Sequence, residues 1–184
     1  DSGSQCPSPK LKKPNLRYSR VTLRWHGTTA NNYEVNYRLN TPTDDWTSLF
    51  TSDTSITIND IYPNYLYIFR VRSICNDYIL PQWSYGTFRT SLYDCAFPEN
   101  LHITSMDFNQ VSFAWTPDEN NSRYGLHLHN STLDSTLFCY ADRITIEGLE
   151  RGVTYYATVK AFCSPDDHDG DWSEPLPFTT PTCP

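Results

Sequence analysis

Apolar and polar residues alternate through most of this chain, and one alternating stretch is used twice. Residues 56–75 read ITINDIYPNYLYIFRVRSIC and residues 144–163 read ITIEGLERGVTYYATVKAFC, at an offset of 88. In each copy a short run carries Ile at every second position (Ile56 and Ile58, then Ile144 and Ile146) and meets a turn. A second run follows, in which Tyr67, Phe69, Val71, Ser73 and Cys75 alternate; Tyr155, Ala157, Val159, Ala161 and Cys163 are its counterpart. A period of two puts such a set on one face of a strand. Other alternating segments predict strands at Val21–Trp25, Tyr33–Arg38, near Trp46–Phe50 and at Thr87–Thr90. They recur at Val111–Trp115, Tyr124–His129, near Thr136–Tyr140 and at Phe178–Thr180. No i, i+3, i+4, i+7 stripe of useful length is present, so the chain reads as all-β.

The repeat sets the domain count. Anchors match at offsets of 88–90: Cys6/Cys95, Trp25/Trp115, Ile56/Ile144, Tyr67/Tyr155, Cys75/Cys163 and Trp83/Trp172. The 184 residues therefore divide into a first domain at 1–92 and a second at 93–184. A module of about 90 residues buries roughly 60–65% of its unfolded surface, which leaves a thin core. Cys183 follows Cys95 as Cys95 follows Cys6, so residues 181–184 read as the first residues of a further repeat and the chain as a piece of a longer protein.

Charge and cysteines narrow the setting. The formal net charge is −7. Taken over the whole chain it offers no basic patch for nucleic acid or an anionic membrane, so neither is expected as a partner. No apolar stretch is long enough to cross a bilayer, and no membrane insertion is expected within this segment. Of the six cysteines, Cys6 and Cys75 are 69 apart and Cys95 and Cys163 are 68 apart. A repeated Cys spacing in small β domains points to disulfides and an oxidising, extracellular or cell-surface compartment. Cys139 has no repeat partner; two readings stay open, a buried free thiol or a bond to Cys183.

These features together resemble fibronectin type III modules. The residues that carry the resemblance are the Trp closing an early strand (Trp25, Trp115) and seven short strands in about 90 residues. With them goes the apolar–x–Pro–x–x–x–Tyr corner, seen in Ile61-Tyr62-Pro63-Asn64-Tyr65-Leu66-Tyr67. In the second copy the corner reads Leu149-Glu150-Arg151-Gly152-Val153-Thr154-Tyr155, with Arg151 in place of Pro. The cysteines depart from the ordinary module and resemble a cysteine-bearing variety found in secreted or surface bacterial multidomain proteins. The resemblance implies two tandem seven-stranded, immunoglobulin-like β-sandwiches. It also implies that Tyr67 and Tyr155 bond back to nearby backbone, and that the bridges are Cys6–Cys75 and Cys95–Cys163.

Candidate chemistry is sparse. No nucleophile elbow, zinc-protease helix motif or phosphate-binding loop occurs, and no enzyme activity is expected. His127 and His129 alternate with Leu126 and Leu128, and both are expected to face solvent. The loop Ser164–Asp171 holds clustered carboxylates around Gly170, and Asp167, Asp169 and Asp171 are the candidate ligands should calcium be bound; no other cofactor is expected. Tyr78, Ile79 and Leu80 form an apolar run at a loop tip, read either as a contact for a partner or as folded back on the sandwich edge. Trp83-Ser84 and Trp172-Ser173 echo half of a cytokine-receptor motif and are read as structural, with Arg70 and Arg72 stacking on Trp. Asn120 and Asn130 stand in glycosylation context, which matters only in a eukaryotic secretory pathway. The leading functional expectation is a non-catalytic interaction or spacer segment of a larger secreted or surface protein, engaging a protein or glycan and its own neighbouring domains. The alternatives are a two-domain cytokine-receptor-like ectodomain and an accessory module of a secreted hydrolase.

Overall fold

The computed structural model describes residues 6–76 and 78–183. Strands and loops account for all of them, with no helix among the described residues. The chain divides into two compact units, Asp1–Asp94 and Cys95–Pro184.

In the first unit β1 (Asn15–Leu16), β2 (Val21–Arg24) and β5 (Ser55–Ile58) form an antiparallel sheet in the order β1-β2-β5. The facing sheet contains β3 (Asn32–Leu39), β4 (Thr47–Thr51), β6 (Leu66–Cys75) and β8 (Ser84–Arg89), in the order β4-β3-β6-β8. A two-residue strand, β7 (Tyr78–Ile79), pairs with the far end of β6. The second unit repeats the plan. β9 (Glu99–Met106), β10 (Gln110–Thr116) and β13 (Arg143–Glu147) make one sheet. β11 (Asn121–His129), β12 (Asp134–Cys139), β14 (Thr154–Cys163) and β16 (Leu176–Thr179) make the other, with the short β15 (His168–Asp169) beside β14. Each unit is a seven-stranded, fibronectin type III-like sandwich of one three-stranded and one four-stranded sheet, with a short extra hairpin strand.

The alternation read from the sequence is the alternation of burial. Tyr67, Phe69, Val71 and Ser73 are buried along β6, and Val21, Leu23 and Trp25 face them across the core. Trp25 meets Tyr33 edge to face at 5.3 Å between ring centroids, and Trp115 meets Tyr124 at 5.2 Å. Each fully buried side chain of this size contributes about 1.5–3 kcal/mol, and both units depend on that sum. The first strand of each unit is what the pattern missed. β1 is two residues long, and β9 is exposed along most of its length, so neither shows a clean alternation.

Both corners have the same clamp. The hydroxyl of Tyr67 accepts a hydrogen bond from the Tyr62 amide at 2.9 Å, and that of Tyr155 accepts from the Glu150 amide at 3.0 Å. The carbonyls of those same residues accept from Thr90 Oγ1 at 2.6 Å and Thr180 Oγ1 at 2.5 Å. One residue per domain, Tyr62 or Glu150, thus has both its amide and its carbonyl held by buried hydroxyls. The turn between them needs a left-handed residue, supplied by Asn64 at φ 58° and by Gly152 at φ 65°. That shared requirement, rather than the proline, is why Arg151 can stand where the first copy has Pro63.

The two bridges join Cys6 to Cys75 and Cys95 to Cys163, with Cα atoms 5.8 and 5.7 Å apart. They tie the lead-in of each unit to the end of its central strand. In the first unit Ser73 Oγ adds a bond to the Pro7 carbonyl at 2.6 Å, and Ser84 Oγ donates to the Pro9 carbonyl.

Two outcomes follow for stability. Tyr67→Phe leaves the Tyr62 amide unpaired and is expected to cost about 1–3 kcal/mol in denaturant unfolding, with Tyr155→Phe doing the same in the second unit. Burial raises the Tyr67 hydroxyl above its ordinary value of 10.0, partly offset by the bond from Tyr62. A proton held more tightly in the folded state stabilises below the unfolded pKa, and that contribution disappears as pH rises through the folded one. Tyr67→Phe is therefore expected to flatten the alkaline limb of the stability profile above about pH 10. Reduction is expected to cost roughly 4 kcal/mol per bridge on the loop-entropy estimate, measured as a fall in melting temperature with and without reductant.

Candidate functional site

The outward faces of the two four-stranded sheets carry the chemistry. In the first unit Glu34 and Asn36 of β3, both buried under the side chains around them, pair across the strands with Arg72 and Arg70 of β6. Arg72 Nε donates to Glu34 Oε2 at 2.7 Å, and Arg70 Nε donates to Asn36 Oδ1 at 2.9 Å. Asn36 is itself held by Ser48 Oγ at 2.9 Å. These bonds fix the guanidinium planes, which stack on indoles. Arg38 lies 4.7 Å from the Trp46 ring centroid, Arg70 lies 4.2 Å from Trp46 and 4.1 Å from Trp83, and Arg72 lies 4.1 Å from Trp83. The result is one alternating column, Arg38–Trp46–Arg70–Trp83–Arg72. Each contact contributes about 0.5–1 kcal/mol at such sites. The expected stack of Arg70 and Arg72 is present, and Arg38 and Trp46 extend it beyond the sequence reading.

The second unit builds a longer column from different residues. Arg123 lies 3.8 Å from the Phe162 centroid and 5.4 Å from Phe138; Lys160 lies 4.9 Å from Phe162 and 4.8 Å from Trp172. Trp172 then meets His127 at 5.7 Å, His127 stacks on His129 at 4.5 Å, and His129 stacks on Tyr156 at 5.7 Å. The two histidines therefore do not simply face solvent. They are half-buried within an aromatic row, and their parallel rings do not converge on a shared ligand point.

That column explains the acidic loop. Asp167 bonds Ser122 Oγ at 2.6 Å and pairs with Arg123 at 3.0 Å. Asp169 pairs with Lys160 at 2.6 Å, Asp134 with His127 at 2.6 Å, and Asp171 accepts from the Trp172 amide at 2.8 Å. Asp167 and Asp169 each pair with a cation of the sheet, and among the described residues no three His, Cys, Asp or Glu gather as a metal site. Gly170, which gave the loop its calcium-like look, has a packing role. A Cβ there would lie 2.6 Å from the Ala161 carbonyl oxygen and 2.9 Å from Cys95 Sγ.

The remaining candidates separate. Tyr78 and Ile79 form β7 and continue the β6 hairpin, while the Leu80 amide donates to the Ser73 carbonyl at 3.0 Å. Tyr78 and Ile79 are exposed, whereas Leu80 is half-buried. Cys139 and Cys183 are both free thiols, so the bond between them is not formed. Cys139 is half-buried, its thiol is pushed above the ordinary 9.0 by burial, and it donates to the Ala141 carbonyl at 3.4 Å. Of the two sequons, Asn130 uses its side chain to cap the turn at Thr132 and Leu133.

No family model matches the chain, and no curated protein is similar to it in sequence. Among solved structures it is similar to the fibronectin domains one to three of chicken contactin. That match has 14% identity and a TM-score of 0.45, over 97% of this chain and 69% of that one. It is also similar to a two-domain fibronectin type III segment of chicken tenascin, with 16% identity and a TM-score of 0.39, over 95% of this chain and 99% of that one.

Calcium at millimolar concentration is expected to leave the melting temperature of the second unit unchanged, because Asp167 and Asp169 are already paired; a rise of several degrees would establish the metal reading. The Ser122 bond, with help from Arg123, holds the Asp167 carboxyl below the usual 3.8. Its contribution is therefore present above the unfolded carboxylate pKa and lost as pH falls through the lower folded value, and Asp167→Asn is expected to remove that acid limb. Alkylation near pH 7.5 is expected to modify Cys183 first and Cys139 at least about tenfold more slowly, read by peptide mass spectrometry.

Proposed function

We propose that this chain is a non-catalytic interaction and spacer segment of a larger extracellular or cell-surface protein. The observation that supports it is the disulfide closing each sandwich between its lead-in and its central strand. Such bridges persist in oxidising compartments and are reduced in the cytosol. The sheet faces support the same reading, because their charges are spent on stacking and pairing along flat walls. An enzyme needs charged groups converging on a cleft. The interaction half of the proposal draws on aromatic side chains left at the surface: Phe50 is 59% exposed, Phe138 58% and Tyr140 84%. Apolar rings displayed on a sheet edge are suited to contact with a protein or glycan partner, or with neighbouring domains of the same polypeptide.

The test is compartment dependence. Expressed through an oxidising secretory route, the chain is expected to be protease-resistant and to yield the Cys6–Cys75 and Cys95–Cys163 linked peptides. Expressed in a reducing cytosol, it is expected to melt at a clearly lower temperature. Equal stability with all four thiols reduced would overturn the extracellular assignment.

A further inference from the structure

The net charge of −7 averages two domains of opposite sign. Residues 1–94 hold ten Lys and Arg against eight Asp and Glu, whereas residues 95–184 hold four against thirteen. Within the first domain the separation is sharper. Lys10, Lys12, Lys13, Arg17, Arg20 and Arg24 fall within fifteen residues, and no Asp or Glu lies between Ser2 and Tyr33. The absence of a basic patch, inferred from the whole-chain charge, is corrected by this local count.

The fold gathers that run on one sheet. Leu11 bridges to Trp25, the Lys12 amide donates to the Arg24 carbonyl at 2.9 Å, and the His26 amide donates to the Lys10 carbonyl at 2.9 Å. Lys10–Lys12 therefore runs beside the end of β2, and the Arg17 amide closes the connecting turn on the Arg20 carbonyl at 2.8 Å. Val21, Leu23 and Trp25 are buried, so Thr22, Arg24 and His26 lie on the outer side of the three-stranded sheet. Across from them β5 places Ser55 opposite Arg24 and Thr57 opposite Thr22. The two threonine hydroxyls are 2.9 Å apart on that outer surface. Lys10, Arg20 and His26 are exposed and Lys12 is half-buried. At the turn end, Arg17, Tyr18, Ser19, Arg20, Asn59, Asp60 and Asp94 line a shallow pocket of about 310 Å³, in which Arg17 pairs with Asp94 at 3.0 Å, so among the described residues the free cations of the face lie toward Lys10 and Lys12. From Arg20 to His26 the strand spans roughly 20 Å at about 3.3 Å per residue.

We propose that this outer face of the first domain binds a sulfated polysaccharide. The cations attract the polyanion, and the hydroxyls of Thr22, Ser55 and Thr57 offer hydrogen bonds to sugar and sulfate oxygens between them. Nucleic acid is the weaker fit, because single-stranded bases stack on successive aromatic faces, whereas the outward positions of β2 and β5 hold only Thr, Arg and Ser and leave Tyr18 alone at the turn. The choice of an extracellular polyanion rests on the proposed compartment. Arg38, Arg70 and Arg72 do not contribute, since they belong to the indole column on the other sheet.

The test uses the whole two-domain chain and heparin as the probe. The chain is expected to be retained on heparin at low ionic strength and released by salt. The Lys10→Gln, Lys12→Gln, Arg20→Gln triple variant is expected to bind at least about tenfold more weakly, with a salt slope lower by roughly two to three. Near-ultraviolet circular dichroism verifies its fold. A control with Arg143→Gln and Arg151→Gln in the second domain is expected to bind like the unmodified chain. Failure of the unmodified chain to be retained, an unchanged triple variant, or equal affinity of the same residues for duplex DNA would each overturn the proposal. The compartment experiment reads disulfides and stability, so its failure is distinguishable from failure of heparin binding.

Discussion

The period-two geometry of the central strand, β6 in one domain and β14 in the other, is the constraint on which the rest of each sandwich depends. A strand cannot turn one residue without turning the whole alternate set. Once Tyr67, Phe69, Val71 and Ser73 are committed to the core, Arg70 and Arg72 must face outward and Cys75 must arrive at the pole where the lead-in begins. Core, corner, bridge and outer column are thus four consequences of one register. A shift by one residue would bury two guanidinium groups, and burying an unpaired charge costs far more than any single contact in the column could return.

The two domains meet the demands of that register with different residues. In the first, Glu34 and Asn36 on the neighbouring strand hold the cations, so the sheet supplies its own counter-charges. In the second, the position opposite Lys160 is Gly125, and the neighbouring strand offers no carboxylate there. The counter-charges come instead from the loop after β14, where Asp167 and Asp169 reach back onto the sheet. Gly125 leaves a space that Phe138 covers, with ring carbons 3.3 and 3.5 Å from where a Cβ would stand. The acidic loop is therefore part of the sheet's electrostatics, and its sequence differs from the first domain's because the strand beside it differs.

This also separates what the sequence made legible from what it hid. Buried rows were legible because the hydrophobic effect acts on every residue of a row and repeats over several positions; the stretch repeated at 56–75 and 144–163, both bridges and both tyrosine corners share that property. Outward columns were only half legible. Arg70 and Trp83 stood out, but Arg38, Phe138 and Phe162 come from three separate strands and Trp46 from just before a fourth, and only cross-strand register shows that they stack. Single-residue packing demands were not legible at all. Gly170 reads as a turn glycine within an acidic cluster, and nothing local reveals that its Cα lies against a disulfide. Thr90 and Thr180 likewise look like ordinary strand ends until their hydroxyls are found on the corner carbonyls.

The division of cations in the first domain follows from the same chemistry. A guanidinium is planar and weakly hydrated, so it can lie between indoles while its edges bond to Glu34 or Asn36, and the indole column accordingly uses Arg three times. An ammonium group is compact and strongly hydrated and gains less from such a slot. Lys10 and Lys12 stand instead beside the end of β2 on the opposite sheet. One face thus spends its positive charge on internal order. The other gathers Lys10, Lys12 and Arg20 at its surface, and that concentration of positive charge can act on something outside the fold.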